Sequence, residues 1–413
     1  MKKYIILEPD VFVQIKGKLV LLYHSYNGSR LVYNNPVIAE LFQQNIKGLH
    51  IYPILPHENN NHIFNELIKQ IEDNNMGFTV TSSTVPIQFY PSLKIQNDYR
   101  KNIELFSKND NSLSYLHTIS IYLNKGGVIH NSKLPNNAYK QLLCNIEQGT
   151  YMEMNFGRLK EMLYNILSLS FLDRLDFLGG DLFAYSELNN IIVFLKELKS
   201  NTNLFFYLDY QSALMNIDKI QEILTIPNAK IVFCISKNSF SYVINDIIKK
   251  IPVDKIEIHC LVKTKNDIEF FENCFSQDNV SNSLFPFFNG KNARFFENNV
   301  FIRENDFDEM MLTLNQVLKN TVLNSSFYGK IIVLPNGDIF TNMNTKKIGN
   351  LFDTSLVSLL KKEMIETTSN WFLVRSKVEP CKDCIYNFLC PPISNYEFVL
   401  KCNDLCNIFP LQK

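Results

Sequence analysis

Five of the nine cysteines of this 413-residue chain fall in one short stretch, CKDCIYNFLCPPISNYEFVLKCNDLC, between Cys381 and Cys406. The spacing is C-x2-C-x5-C-x11-C-x3-C. Thiolate sulfur suits zinc or an iron–sulfur cluster. Cys381 and Cys384 can grip one metal centre, and Cys390 with a later cysteine completes four ligands, leaving one of the five spare. Zinc ribbons usually carry two C-x2-C knuckles, and here there is one. Cys390 precedes Pro391-Pro392, and a Cys-Pro step also occurs beside ferredoxin ligands. The spacing favours an iron–sulfur cluster, with a structural four-cysteine zinc site as the alternative.

The rest of the composition bounds what such a centre could serve. The chain is 46% hydrophobic and 20% charged, with a formal net charge of +0. That is the make-up of an ordinary globular protein with room for two or three domains. Without a basic field, nucleic acid and anionic membrane are not expected partners. The N-terminal run MKKYIILEPDVF is too short for a signal segment, and no apolar run is long enough to span a bilayer. A cytoplasmic location is therefore expected, where clustered cysteines serve as metal ligands rather than disulfides.

Three blocks of elements must position the cysteines. Residues 1–110 read as an α+β unit. Its strands are YIILEP and VFVQIKGKLVLLYHSYNGSRLVY, with an Asn27-Gly28 turn, and its helices are VIAELFQQNI and HIFNELIKQIEDNN, followed by the strand GFTVTSS. Residues 111–320 alternate apolar strands with amphipathic helices. The strands are LHTISIYL, RLDFLGG, NLFFYLDY, KIVFCIS, KIEIHCLV and SLFPFF. This is the pattern of an α/β fold with a parallel sheet. Six units fit a partial β/α barrel, and periodicity alone equally allows an open doubly wound sheet. Residues 321–413 open on the hairpin GKIIVLPNGDIFTNM, turning at Pro335-Asn336-Gly337-Asp338, and continue through the helix SLVSLLKKEM to the cysteine stretch.

C-x2-C-x5-C with a later cysteine is similar to the SPASM domain, the auxiliary-cluster module of radical S-adenosylmethionine (SAM) peptide-modifying enzymes. LPNGDIFTNM followed by IGNLFDTSLVSLLKKE resembles its lead-in, a G-x4-C hairpin and a Gly-Asn before a helix. Asn342 stands where that hairpin has its cysteine, and Ser394 where the domain's next cysteine falls. The resemblance implies that the first auxiliary cluster is lost. It implies a second cluster, one [4Fe–4S] centre, on Cys381, Cys384, Cys390 and Cys406, with Cys402 as the alternative fourth ligand.

The middle block looks like a radical SAM barrel without its C-x3-C-x2-C triplet. The loop NKGGVIHNSKLPNNAYKQLLC holds one cysteine, Cys144, and Cys234, Cys260 and Cys274 are scattered. FLGGDLF resembles the GGE motif of that family, so Gly179, Gly180 and Asp181 are candidates for a vestigial SAM pocket. A plain strand-end turn explains them equally well, and bound SAM is not expected. W..VR, EPCKDCIYNFLCPP and SNYE are similar to pseudo-radical-SAM proteins of the GG-Bacteroidales type of ribosomal peptide modification. The function this implies is a non-catalytic accessory partner of a radical SAM maturase and its precursor peptide. The alternatives are a zinc-stapled peptide-binding scaffold and a diverged enzyme that uses SAM without radical chemistry. The N-terminal unit resembles the PqqD-like element that captures a leader peptide as an added strand, or it is a simple cap on the barrel.

Other motifs carry less. HENNNH, from His57 to His62, has a gap one residue too long for a zincin and reads as a solvated loop. His259 and Cys260 are neighbours on one strand, so they point to opposite faces and cannot share a ligand. The expectation for His259 is core packing. His24, His50, His117 and His130 suggest no site.

Overall fold

The computed structural model describes residues 2–46, 50–55, 62–86, 111–125, 134–135, 137–146, 151–169, 172–198, 201–240, 243–275, 280–365, 369–403 and 405–408. The N-terminal block forms two three-stranded antiparallel sheets. One joins β1 (Lys2–Leu7), β5 (Ile51–Ile54) and β6 (Gly77–Ser82) in the order β5-β1-β6. The other is the meander β2 (Val11–Lys16), β3 (Leu19–His24) and β4 (Arg30–Asn34). The helix Pro36–Gln43 starts where Asn35 caps it, accepting from the Val37 N–H at 2.8 Å, and Pro36 supplies a first-turn residue with no N–H to satisfy. Its Ile38, Leu41 and Phe42 share a core with Phe64, Leu67 and Ile71 of the helix His62–Asp73. The expected strands, helices and Asn27-Gly28 turn all fall here.

The central block is a mixed α/β fold around one large sheet. Six strands run parallel: β7 (Thr118–Tyr122), β10 (Arg174–Leu178), β11 (Asn203–Leu208), β12 (Ala229–Ser236), β13 (Ile256–Val262) and β14 (Ser281–Pro286). A two-residue pair, β8 (Asn124–Lys125) with β9 (Met152–Glu153), sits beside β7. The six strands are laid down in sequence order with no reversal. Every second residue, among them Ile119, Phe177, Phe206, Phe233 and Ile258, packs with the crossover helices in the largest core. The other face carries Tyr122, Leu178, Tyr207 and Val232.

The C-terminal hairpin prolongs this sheet. β15 (Lys330–Val333) pairs in parallel with β7, and β16 (Asp338–Phe340) and β17 (Gly349–Asn350) follow antiparallel. The turn needs Gly337: its φ is +83°, and a Cβ there would sit 2.7 Å from the Phe352 ring. Trp371, fully buried, ties the hairpin to the cysteine stretch. Its indole N–H donates to the Lys330 carbonyl at 3.2 Å, and its own carbonyl accepts from the Asn324 N–H at 2.9 Å.

The N-terminal meander also packs directly on the cysteine stretch. Leu21 and Tyr23 of β3 share a core with Phe307, Ile385, Tyr386 and Leu389. Gln14 Nε2 donates to Asn387 Oδ1 at 2.8 Å, and Lys16 Nζ to the Lys382 carbonyl at 2.7 Å. Arg30 lies 5.6 Å from the Phe307 ring centre and 5.3 Å from that of Tyr386. Each such cation–π contact contributes about 0.5–1 kcal/mol. Among the described residues, no helix is long and apolar enough to cross a membrane.

Candidate metal centre

Cys381 begins a single 3-10 turn, Cys381–Asp383, and Cys384 and Cys390 follow on further turns. The Asn387 amide holds this backbone, donating to the Cys381 carbonyl at 3.2 Å. The three thiols point inward and are only 6%, 4% and 8% exposed. Cys406 arrives from the far end of the chain. The Ile302 N–H donates to the Leu405 carbonyl at 3.0 Å, and the Asn407 N–H donates to the Ile302 carbonyl at 2.8 Å. This short parallel bridge sets Cys406 against the core that contains Cys384 and Cys390. Cys402 is outside that core. It follows Lys401, whose φ is +56°, and its N–H donates to the Glu397 carbonyl at 3.1 Å.

The electrostatics tie four of the sulfurs together. Burial pushes the Cys381 thiol up to about 11, opposed by Arg375, with Glu397 and Cys406 adding to the rise. Burial raises Cys390 further, again opposed by Arg375, and the neighbouring Cys384, Cys381 and Cys406 add to it. Two N–H groups aim at sulfur: Arg375 Nη1 at 3.6 Å from Cys381 Sγ and the Tyr386 amide at 3.4 Å from Cys384 Sγ. Cys381 also donates to the Asn403 carbonyl at 3.1 Å, a contact only the protonated thiol can make.

The donor set is sulfur throughout, with Cys381, Cys384 and Cys390 buried, Cys406 half-buried, and N–H donors directed at Cys381 and Cys384. Among the described residues, no three His, Cys, Asp or Glu side chains converge on a single ion. Zinc draws all its thiolates to about 2.3 Å from one point, whereas a [4Fe–4S] cluster spreads its four thiolates over four irons.

The other expected positions have different occupations. Asn342 is buried and donates to Asn395 Oδ1 at 2.8 Å, and Asn344 donates to it through its backbone at 2.8 Å and its amide at 3.1 Å. Ser394 begins the helix Asn395–Leu400, its N–H donating to Glu397 Oε2 at 2.8 Å. Gly179, Gly180 and Asp181 stand at the C-terminal end of β10 and fasten neighbouring segments. The Gly180 N–H donates to Asn124 Oδ1 at 2.7 Å, and the Gly179 N–H to Asn145 Oδ1 at 3.2 Å. Asp181 accepts from the Phe183 N–H at 3.1 Å and from Ser212 at 3.3 Å.

Cys144 is fully buried, with its Sγ 3.6 Å from the Asn145 carbonyl. Cys234 faces it across the sheet, its Sγ 3.7 Å from the Leu143 carbonyl. Cys260 is in the helix-side core with Cys274 packed against it. His57 and His130 lie outside the described residues, and the His62 side chain is solvated.

One region went unforeseen. The face of the sheet away from the helices carries Arg174 and Asp176 on β10, Ser120 on β7, Tyr207 on β11, Glu257 and His259 on β13, and Lys330 on β15. Arg174 Nε donates to Asp176 Oδ1 at 2.7 Å and its Nη2 to the Tyr207 hydroxyl at 2.9 Å. Ser120 donates to the other Asp176 oxygen at 2.9 Å. His259 is on this face, packed on Tyr207 and Phe285, and not in the core. A cavity of about 360 Å³ opens over Ser120, Arg174, Asp176, Tyr207 and Lys330. The trace in the sequence was charge at alternate positions of otherwise apolar strands, as in RLD and IEIH.

No protein-family model matches the chain, and no curated protein matches it. Several solved structures resemble it in outline. Streptococcus suis SuiB is 13% identical, with 97% of this chain and 100% of that one aligned at a TM-score of 0.40. SuiB bound to its precursor peptide SuiA is 14% identical, with 98% and 100% aligned at 0.42. AdoMet-bound anSMEcpe is 15% identical, with 67% and 84% aligned at 0.42.

Proposed function

We propose that this protein is an accessory partner of a radical SAM peptide maturase, that it holds one [4Fe–4S] cluster on Cys381, Cys384, Cys390 and Cys406, and that it does not cleave SAM. The observation that carries the proposal is the common pocket of those four thiols. Cys381, Cys384 and Cys390 are buried with Cys406 half-buried beside them, Cys384, Cys381 and Cys406 add to the raised pKa of Cys390, and two N–H donors face Cys381 and Cys384. When bound, such a cluster supplies one-electron transfer. Arg375 then lowers the cost of burying thiolate charge, and the N-terminal meander seals the apolar side of the pocket. The sequence between β7 and β10 offers one cysteine, Cys144, where SAM cleavage requires three. In this reading residues 111–320 form a degenerate six-unit partial barrel. Residues 321–413 form a reduced SPASM-like module. Residues 1–110 form a peptide-binding unit that presents the precursor to the maturase.

The test is anaerobic purification and reconstitution, followed by iron, sulfide and zinc analysis. Iron and acid-labile sulfide in equal amounts are expected, lost on Cys→Ser change at 381, 384, 390 or 406 and retained at 402. Zinc without sulfide would replace the cluster by a structural ion. Release of 5′-deoxyadenosine from SAM on reduction would end the non-cleaving assignment. The partnership is tested by co-purifying the chain with a maturase that has a C-x3-C-x2-C triplet and with its precursor peptide.

A further inference from the structure

Lys330 is the first residue of β15, level with Thr118 of β7 and, through it, with Arg174 of β10. Its side chain lines the 360 Å³ cavity on the face of the sheet away from the helices. Among the described residues its ammonium has no hydrogen bond or ion pair. The nearby Asp176 carboxylate cannot serve it fully, because Arg174 takes one oxygen at 2.7 Å and Ser120 the other at 2.9 Å. Burial lowers the Lys330 pKa, and the Arg174 charge lowers it further. Asp176 opposes the fall, but a half-buried cation that shares its one counter-ion with Arg174 is costly unless something else completes it.

The remaining lining defines what would complete it. Three cations, Lys140, Arg174 and Lys330, face the cavity against the one carboxylate of Asp176. The chain as a whole is neutral, so this excess is local. Apolar side chains, Leu142, Leu143 and Phe285, form the other wall. The volume is in the range of small-molecule pockets. The cavity is lined near the starts of β7, β10 and β15 by Thr118, Arg174 and Lys330 and near the ends of β11 and β14 by Tyr207 and Phe285, and none of Gly179, Gly180 and Asp181 lines it. It is therefore separate from the vestigial SAM motif, and it does not depend on the cluster.

We propose that this cavity binds a small carboxylate with an apolar substituent, its carboxylate held between Lys330 and Arg174 and its substituent against Leu142, Leu143 and Phe285. A carboxylate gains charge-assisted bonds from both cations, and Arg174 is already oriented by Asp176 and Tyr207.

The experiment is calorimetry on the full chain with N-acetyl-L-phenylalanine, its primary amide, and inorganic phosphate as probes. The acid is expected to bind at one site, and the amide to bind weaker by about tenfold or more. Lys330→Gln is expected to weaken the acid by about tenfold, with Lys330→Arg retaining most of the affinity. Thermal melts of both variants check their folding. If Lys330→Gln does not fold, the acid–amide pair on the unaltered protein decides, together with the Lys330 ε-carbon NMR titration, in which the acid should raise the pKa. Equal binding of acid and amide, no binding of the acid, or undiminished binding by a folded Lys330→Gln variant would overturn the proposal. Phosphate binding in place of the acid, with the same dependence on Lys330, would overturn the carboxylate assignment.

Discussion

Asn342 donates through its side-chain amide to Asn395 Oδ1 at 2.8 Å, joining the end of the β15–β16 hairpin to the helix that follows the cysteine turns. The resemblance to SPASM domains calls for cysteines at Asn342 and Ser394. Here a hydrogen bond and a helix start close the same gap between the hairpin and that helix.

Asn342→Ala would leave Asn395 without its donor and the Asn344 amides without their acceptor, in a buried setting. A loss of about 1–3 kcal/mol is expected. Urea unfolding of the metal-free chain measures it, and a change below the error of that measurement would show that the bridge is incidental.

Arg375 is clasped to Glu397, with Nη1–Oε1 at 2.7 Å and Nη2–Oε2 at 3.3 Å, and both side chains are nearly sealed from water. Its Nη1 also donates to the Asn403 carbonyl at 3.0 Å. Arg375→Met strands a buried carboxylate and removes the N–H directed at Cys381. It is expected to cost about 3–5 kcal/mol in stability. Metal uptake should fall with it, and Arg375→Lys should recover only part, since a lysine cannot make the paired contact. Denaturation curves and iron assays on the two variants separate these outcomes.

At Gly179 an added Cβ would sit 2.1 Å from Asn124 Oδ1. Gly179→Ala should therefore displace Asn124 from its bonds to the Gly180 N–H and the Asp181 carbonyl, costing about 1–3 kcal/mol. Shortening Asn124 to Ala in the same chain removes the clash. The double variant should then be less destabilised than the sum of the two single changes. Strict additivity in the thermal melts would contradict this close approach.

Asp176 gives a pH dependence. Burial raises its pKa above 3.8, and Arg174 and Ser120 oppose the rise without cancelling it. The folded state thus holds its proton more tightly than the unfolded state. The contribution is fully present below about 3.8 and is lost as pH rises through the folded-state value. Relative to Asp176→Asn, the unaltered protein should lose stability as pH rises across that window. Urea midpoints taken through the acid range check the sign, and an opposite slope would mean that Arg174 dominates.

Much of this was legible in residue order. The six parallel strands read directly from runs such as IVFCIS and LFFYL, because a strand covered on both faces needs apolar side chains at nearly every position. The crowding of thiols read from spacing, because C-x2-C places two sulfurs within one turn. His259 and the Arg174–Asp176 pair were misread or missed, because single polar residues in an apolar run do not show which neighbours will satisfy them.

The sequence by itself determined which segments are strands and helices and which thiols crowd the C-terminal stretch, since both depend on local periodicity and spacing. Only the tertiary structure decided the spatial order of the strands and the joining of β15 to β7. It alone brought Ile302 to Cys406, Arg375 to Glu397, the β2–β3 meander to the cysteine turns, and Lys330 level with Arg174. These relationships link residues tens to hundreds of positions apart. They arise from shared burial and paired charge, which local sequence patterns do not encode.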